Sequence, residues 1–228
     1  MGDALRAALT AAATAVASPA ELRKAAAAIR DAIEPLTEEV RSPATLSPLD
    51  DMGRGIRMFN PVVGPGNGFA LPLRFEPDGD GVLARATLGP VHEGPPTFVH
   101  GGVSALLMDQ ILGQGAIVTG RWGMTAELTL RYRRPVPLHT PLLLTSRMAG
   151  AAGRRTTVTG AITTEAEPEV VLVEAMGLFV SPSEAKTASY FGTVRTASGG
   201  ETDGRLGHAR QDVDAASPAL APGPAPAE

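Results

Sequence analysis

The residues best suited to chemistry lie between 98 and 137, in FVHGGVSALLMDQILGQGAIVTGRWGMTAELTLRYRRPVP. His100, Gly101 and Gly102 stand just before an apolar segment in which Asp109 is the single acidic residue. A carboxylate among apolar side chains is either a structural hydrogen-bonding group or a base or nucleophile. The paired glycines allow close backbone approach. Free N–H groups at the start of a helix offer hydrogen bonds and positive potential to an anion or a developing oxyanion. Taken alone, His100 reads as a structural histidine.

The element that must carry Asp109 is a helix over 102 to 119. At 100° per residue Val103, Leu107, Ile111 and Val118 share one side, Met108 and Leu112 another, and Leu106 and Ile117 a third. A helix apolar nearly all round is expected to be enclosed, which would shield Asp109 from bulk water. Its neighbours at i−4, i+4 and i+7 are Ala105, Gly113 and Ala116. Small residues there either let another element approach closely or leave room for a ligand beside the carboxylate, and the residues themselves leave both readings open.

Around this helix the pattern predicts strands at 69–76 and 82–88, joined by the turn Pro77-Asp78-Gly79-Asp80-Gly81, then 124–134, 141–148, 154–164 and 169–180. Gly120 to Gly123 turns the chain from the helix into the third of these. Two strands, one helix and four strands point to an α+β domain with an antiparallel sheet curved around the helix. Residues 3–17 and 20–40 have high helix propensity, with Ser18-Pro19 as break and N-cap. The expected organisation is a helical extension over 1–49, the core domain over 50–182 and a disordered tail over 183–228.

Composition narrows the function. In 228 residues the formal net charge is −4, which gives no basic field for nucleic acid. Absence of cysteine excludes disulfides, thiolate nucleophiles and cysteine-ligated zinc. His92, His100, His139 and His208 have no metal-binding spacing, so no metal is expected. The longest apolar stretch contains Asp109 and two glutamines, so no membrane span is expected either. The N-terminus lacks signal-peptide character, and the expected location is cytoplasmic. Gly64-x-Gly66-x-Gly68 is not a nucleotide loop, because a strand follows it where a helix is needed. No G-x-S-x-G occurs for serine hydrolase chemistry.

His100-Gly101-Gly102, Asp109, Met124-Thr125 and the run Arg131-Tyr-Arg-Arg-Pro-Val-Pro137 stand in an order and spacing that resembles the hotdog-fold acyl-CoA thioesterases. The likeness is to the phenylacetate-pathway thioesterase-like group and the thioesterase superfamily members. It implies an antiparallel sheet wrapped around one long helix, and a homodimer or tetramer with active sites between chains. It implies an acyl-CoA substrate, fatty or aromatic, hydrolysed without a cofactor. Asp109 would act as nucleophile or general base, and the Gly101-Gly102 loop of another chain would supply an N–H to the thioester carbonyl. His100 would position that loop, and Thr125 would bind the water or Asp109. Arg131, Arg133, Arg134, Arg154 and Arg155 are candidate contacts to the CoA phosphates, with Arg133 and Arg134 foremost, set against the plainer reading of strand arginines as solvated charges.

Strict alternation conflicts with one of these roles. It puts Met124, Ala126, Leu128, Leu130 and Tyr132 on one face and Thr125 on the other, away from Asp109 of the same chain. A partner's Asp109 or a twisted strand start would reconcile them. The rival functions on this fold are a hydratase, disfavoured by the separation of His100 from Asp109, and a non-catalytic acyl-CoA-binding protein, disfavoured by the presence of Asp109.

Overall fold

The computed structural model describes residues 1–51, 54–71 and 73–200. Its helices are α1 (Gly2–Thr14), α2 (Pro19–Ile33), α3 (Gly101–Val118) and α4 (Glu184–Phe191). The strands are β1 (Phe75–Asp78), β2 (Gly81–Thr87), β3 (Met124–Tyr132), β4 (Pro141–Ala152), β5 (Arg155–Thr164) and β6 (Val173–Val180). They form one sheet in the order β1-β2-β4-β5-β6-β3, every pairing antiparallel. This is the hotdog arrangement, with α3 packed on one face of the sheet.

The two periodicities meet in the core. Along β2 and β4 alternate residues point inward, so Val82 and Ala84, then Leu142 and Leu144, are all but inaccessible, as are Val158 and Ile162 of β5. From α3, Leu107, Met108, Ile111 and Leu112 press onto them. Truncating one such leucine to alanine costs about 2–5 kcal/mol, so this contact fixes the position of α3 against the sheet. At its far end α3 stops in a Schellman motif. The Arg121 N–H donates to Ala116 O at 3.0 Å and the Gly120 N–H to Ile117 O at 2.9 Å, with Gly120 at φ +77° where a side chain would be strained. That turn aims the chain into β3.

The three largest departures from the sequence reading are in β1, α2 and the segment after 182. The first strand starts at Phe75 instead of 69, because residues before it bond to an irregular loop: the Leu71 N–H goes to Val62 O and the Phe69 N–H to Asn67 Oδ1. α2 ends at Ile33 rather than 40, since Pro35 lacks the N–H a continuing helix requires. Inside the segment expected to be disordered, α4 forms with Ser183 as N-cap, and Phe191 meets the Trp122 ring edge-on at 6.4 Å. The rest of that segment from 201 onward lies outside the described residues.

The extension behaves as two different helices. α1 is docked: Leu5 and Leu9 pack against Gly68, and the Arg6 guanidinium donates to Asn67 O at 3.0 Å and Pro65 O at 3.2 Å. α2 buries nothing, and its stripe of Leu22, Ile29 and Ile33 is exposed. No helix among the described residues is long and apolar enough to cross a membrane.

Candidate active site

β3 is an edge strand, so one face of α3 has no strand over it in the single chain. Asp109 lies on that face, with Gly102, Leu106 and Gly113 along the same stripe, and it is half-buried rather than enclosed. The expectation that Asp109 is shielded within its own chain therefore fails. The sheet covers Leu107, Met108, Ile111 and Leu112, and on the carboxylate's side it offers only its edge strand, β3. Among its small neighbours, Ala116 is buried, while the Gly113 position lies 3.6 Å from the Phe179 ring, counted from a notional Cβ.

Thr125 Oγ1 donates to Asp109 Oδ1 of the same chain at 2.8 Å. The alternation argument is overturned by a β-bulge. In the pairing with β6, Thr125 stands opposite Phe179 and Glu127 opposite Leu178, leaving Ala126 as the extra residue. One inserted residue changes the parity of the strand, so Thr125 and the Leu128, Leu130 and Tyr132 series face α3 together. The bonded hydroxyl engages one carboxylate oxygen of Asp109.

At the start of α3, His100 is the N-cap: its Nδ1 accepts the Gly102 N–H at 2.9 Å. The His100 carbonyl accepts from Val103 and Ser104, and its N–H donates to His92 O. Gly102 is therefore not the open donor, because its N–H is already spent within the loop. The unoccupied donor is the N–H of Gly101, which has no partner among the described residues. His100 thus ties the loop to the first turn of α3 through its Nδ1.

The arginines divide. The Arg133 guanidinium donates to Glu174 Oε1 at 2.6 Å, and Arg131 lies 3.8 Å from the same oxygen, on the outward face of the sheet. The strand parity that brings Thr125 and Tyr132 inward sends Arg133 away from Asp109. Arg134 has no side-chain partner among the described residues, and its backbone N–H donates to Leu172 O. Among the described residues no group of three or more acidic, histidine or cysteine side chains is arranged to hold a metal.

One residue of the site escapes sequence reasoning. Tyr132, at the end of β3, donates its hydroxyl to Gly101 O at 2.9 Å, and its ring lies 3.6 Å from where a Gly101 side chain would begin. Its only sequence signal is membership of the inward face, which gives no hint of a contact 31 residues away.

Asp109 and Gly101 cannot serve one small reacting group within a single chain. Eight residues of helix separate them by about 12 Å at 1.5 Å per residue. A carbonyl carbon and its oxygen must lie within about 3 Å of base and donor respectively. The geometry thus supplies two half-sites on one helix.

Residues 97–171 match the thioesterase superfamily. A solved thioesterase superfamily protein is 38% identical and superposes with a TM-score of 0.68, over 79% of this chain and 88% of its own. Acyl-coenzyme A thioesterase THEM4 of Xenopus laevis is 35% identical over 92 residues, 40% of this chain and 41% of the relative. The Bos taurus THEM4 is 32% identical over 101 residues, 44% and 41% of the two chains. The chain thus spans about two fifths of the length of these curated relatives.

Proposed function

Because the chain belongs to the thioesterase superfamily, by its likeness to a solved member along 88% of that protein, we propose that it hydrolyses the thioester of an acyl-CoA to a free acid and CoA. The observation that carries this reading is the Thr125–Asp109 hydrogen bond on the uncovered face of α3. The similarity to proteins named acyl-coenzyme A thioesterases supports the choice of acyl group carrier.

The active unit is a homodimer. An unpaired edge strand beside an uncovered helix face invites a second copy, and joining two β3 edges would continue the sheet while laying the α3 helices together. Asp109 of one subunit then meets the Gly101 loop of the other, which the 12 Å separation on one helix requires (about eight residues of rise). Asp109 takes a proton from water as the water oxygen adds to the thioester carbon. The oxygen that gains charge is held by the Gly101 N–H, a donor type whose loss typically costs about 10²- to 10³-fold. Collapse breaks the C–S bond, and Asp109 returns its proton to the departing sulfur. Thr125 holds the carboxylate in orientation, and His100 holds the loop. Of Arg133 and Arg134, Arg134 is the better candidate for a phosphate of CoA, since Arg133 is paired with Glu174.

The test is thiol release from a panel of fatty and aromatic acyl-CoAs by wild type, by Asp109→Asn, and by heterodimers of Asp109→Asn with a loop variant lacking the Gly101 N–H. Activity should vanish in Asp109→Asn and return in heterodimers, where one of the two sites is built from two intact halves. A wild type that binds CoA esters yet releases no thiol would make this a binding protein on the same fold. Heterodimers that stay inactive would place both halves in one subunit.

A further inference from the structure

The Gly101 N–H is useful to a reaction only if it points in a fixed direction before substrate arrives, and two adjacent glycines at a helix start are poorly suited to that. The hydrogen bonds around them answer this difficulty. The peptide group between Gly101 and Gly102 is gripped at both ends: Tyr132 donates to its oxygen at 2.9 Å and His100 Nδ1 accepts from its nitrogen at 2.9 Å. The preceding peptide group is held by its own oxygen, the His100 carbonyl, which receives Val103 at 2.9 Å and Ser104 at 3.2 Å. Its remaining end is the Gly101 N–H.

We propose that the Tyr132 hydroxyl is a positioning group for catalysis, fixing through the Gly101 carbonyl the direction of the Gly101 N–H that receives the substrate oxyanion. This rests on the thioesterase reading given above. The two grips differ in kind. The His100 contact is local, made within the same turn, and alone would leave the turn free to tilt. Tyr132 comes from β3, whose backbone is paired to β6 along its length, so its hydroxyl ties the loop to the sheet. The same strand carries Thr125 at its start, bonded to Asp109. One strand therefore sets both chemical groups of α3, the carboxylate from its first residues and the donor from its last.

In Tyr132→Phe the ring keeps its place beside Gly101 and only the hydroxyl is lost, so folding should be intact. We expect kcat on an acyl-CoA to fall about tenfold, a fraction of the loss for removing an oxyanion donor outright, with KM changed less than about twofold, since the group acts on the charged state and not on substrate binding. In protein labelled with ¹⁵N-glycine, the Gly101 amide should shift and exchange faster in the variant, while the melting curve stays in place. An unchanged kcat with an unchanged Gly101 amide would overturn the proposal, as would a parallel loss of kcat, KM and melting temperature, which marks a merely structural tyrosine. If the wild type releases no thiol, the thioesterase reading falls and with it the catalytic role, while the amide measurement still decides whether Tyr132 orders the loop.

Discussion

Thr125 reaches Asp109 of its own chain at 2.8 Å because Ala126 is an extra residue in the β3–β6 ladder. Hydrogen bonds to a charged group contribute about 1.5–3 kcal/mol, so this one is strong enough to decide the orientation of the carboxylate. Thr125→Val keeps the shape and removes the donor. Its kcat is expected to fall about 10- to 100-fold, the same energy expressed as a rate, while Thr125→Ser retains most activity. Steady-state thiol release distinguishes the two, and equal rates for valine and wild type would remove Thr125 from the site.

Gly101→Pro isolates the free N–H. Proline is favoured at the first helical position, and its demand for an extended preceding residue is already met by His100 at φ −60°, ψ 133°. A substituent at Cβ would meet Tyr132 only at ordinary contact distance. The variant should fold with unchanged thermal stability and lose about 10²- to 10³-fold in kcat. If Gly102 were the working donor, Gly101→Pro would keep most of its rate.

How much of this was legible in the sequence follows the range of each interaction. The helix carrying Asp109, the glycine turn after it and five of the six strands announced themselves through period and turn residues, which are local properties. So did the spacing of His100-Gly101-Gly102, Asp109 and Thr125. The bulge at Ala126 was not legible, since it is a register mismatch with β6 and nothing in the run MTAELT marks it. Nor was the division of the arginines, because Glu174 meets Arg133 only once β6 lies beside β3. Tyr132 read as one more inward apolar residue, and its hydroxyl acquired a purpose when the end of β3 came to rest beside Gly101.

Ser146 and Gly115 form a second testable pair, in the core. Ser146 Oγ is buried with no hydrogen-bond partner among the described residues, and a Cβ on Gly115 would lie 2.5 Å from it and 3.1 Å from Val158 Cγ1. Ser146→Ala removes an unsatisfied hydroxyl and should raise stability, by up to about 1 kcal/mol. Gly115→Ala should cost about 1–3 kcal/mol through overpacking, more than the roughly 1 kcal/mol that alanine gains in a helix. Urea denaturation of the double variant should show less than the sum of the two effects taken with Gly115→Ala on Ser146, because the nearest clashing atom is gone.

α2 carries a pH dependence of its own. The Ser18 hydroxyl, and then its backbone N–H, hold the Glu21 carboxyl below its ordinary range in a capping box. A depressed folded value means that the cap's contribution is complete above the ordinary glutamate range and is lost as pH falls through the lowered one. Carboxyl ¹³C titration should give Glu21 a lower midpoint than Ser18→Ala does. Coincident midpoints would mean the box does not form in solution.

Gly101 and Asp109 ride on one uninterrupted helix, and in the proposed dimer they belong to different reaction centres. α3 is then a spacer rod: its rise per residue sets the distance between the two centres, and whatever bends it detunes both together. The seven residues between them have no catalytic task, yet this stretch should be where proline is least tolerated, since a kink there would disable each centre at opposite ends of the same bar.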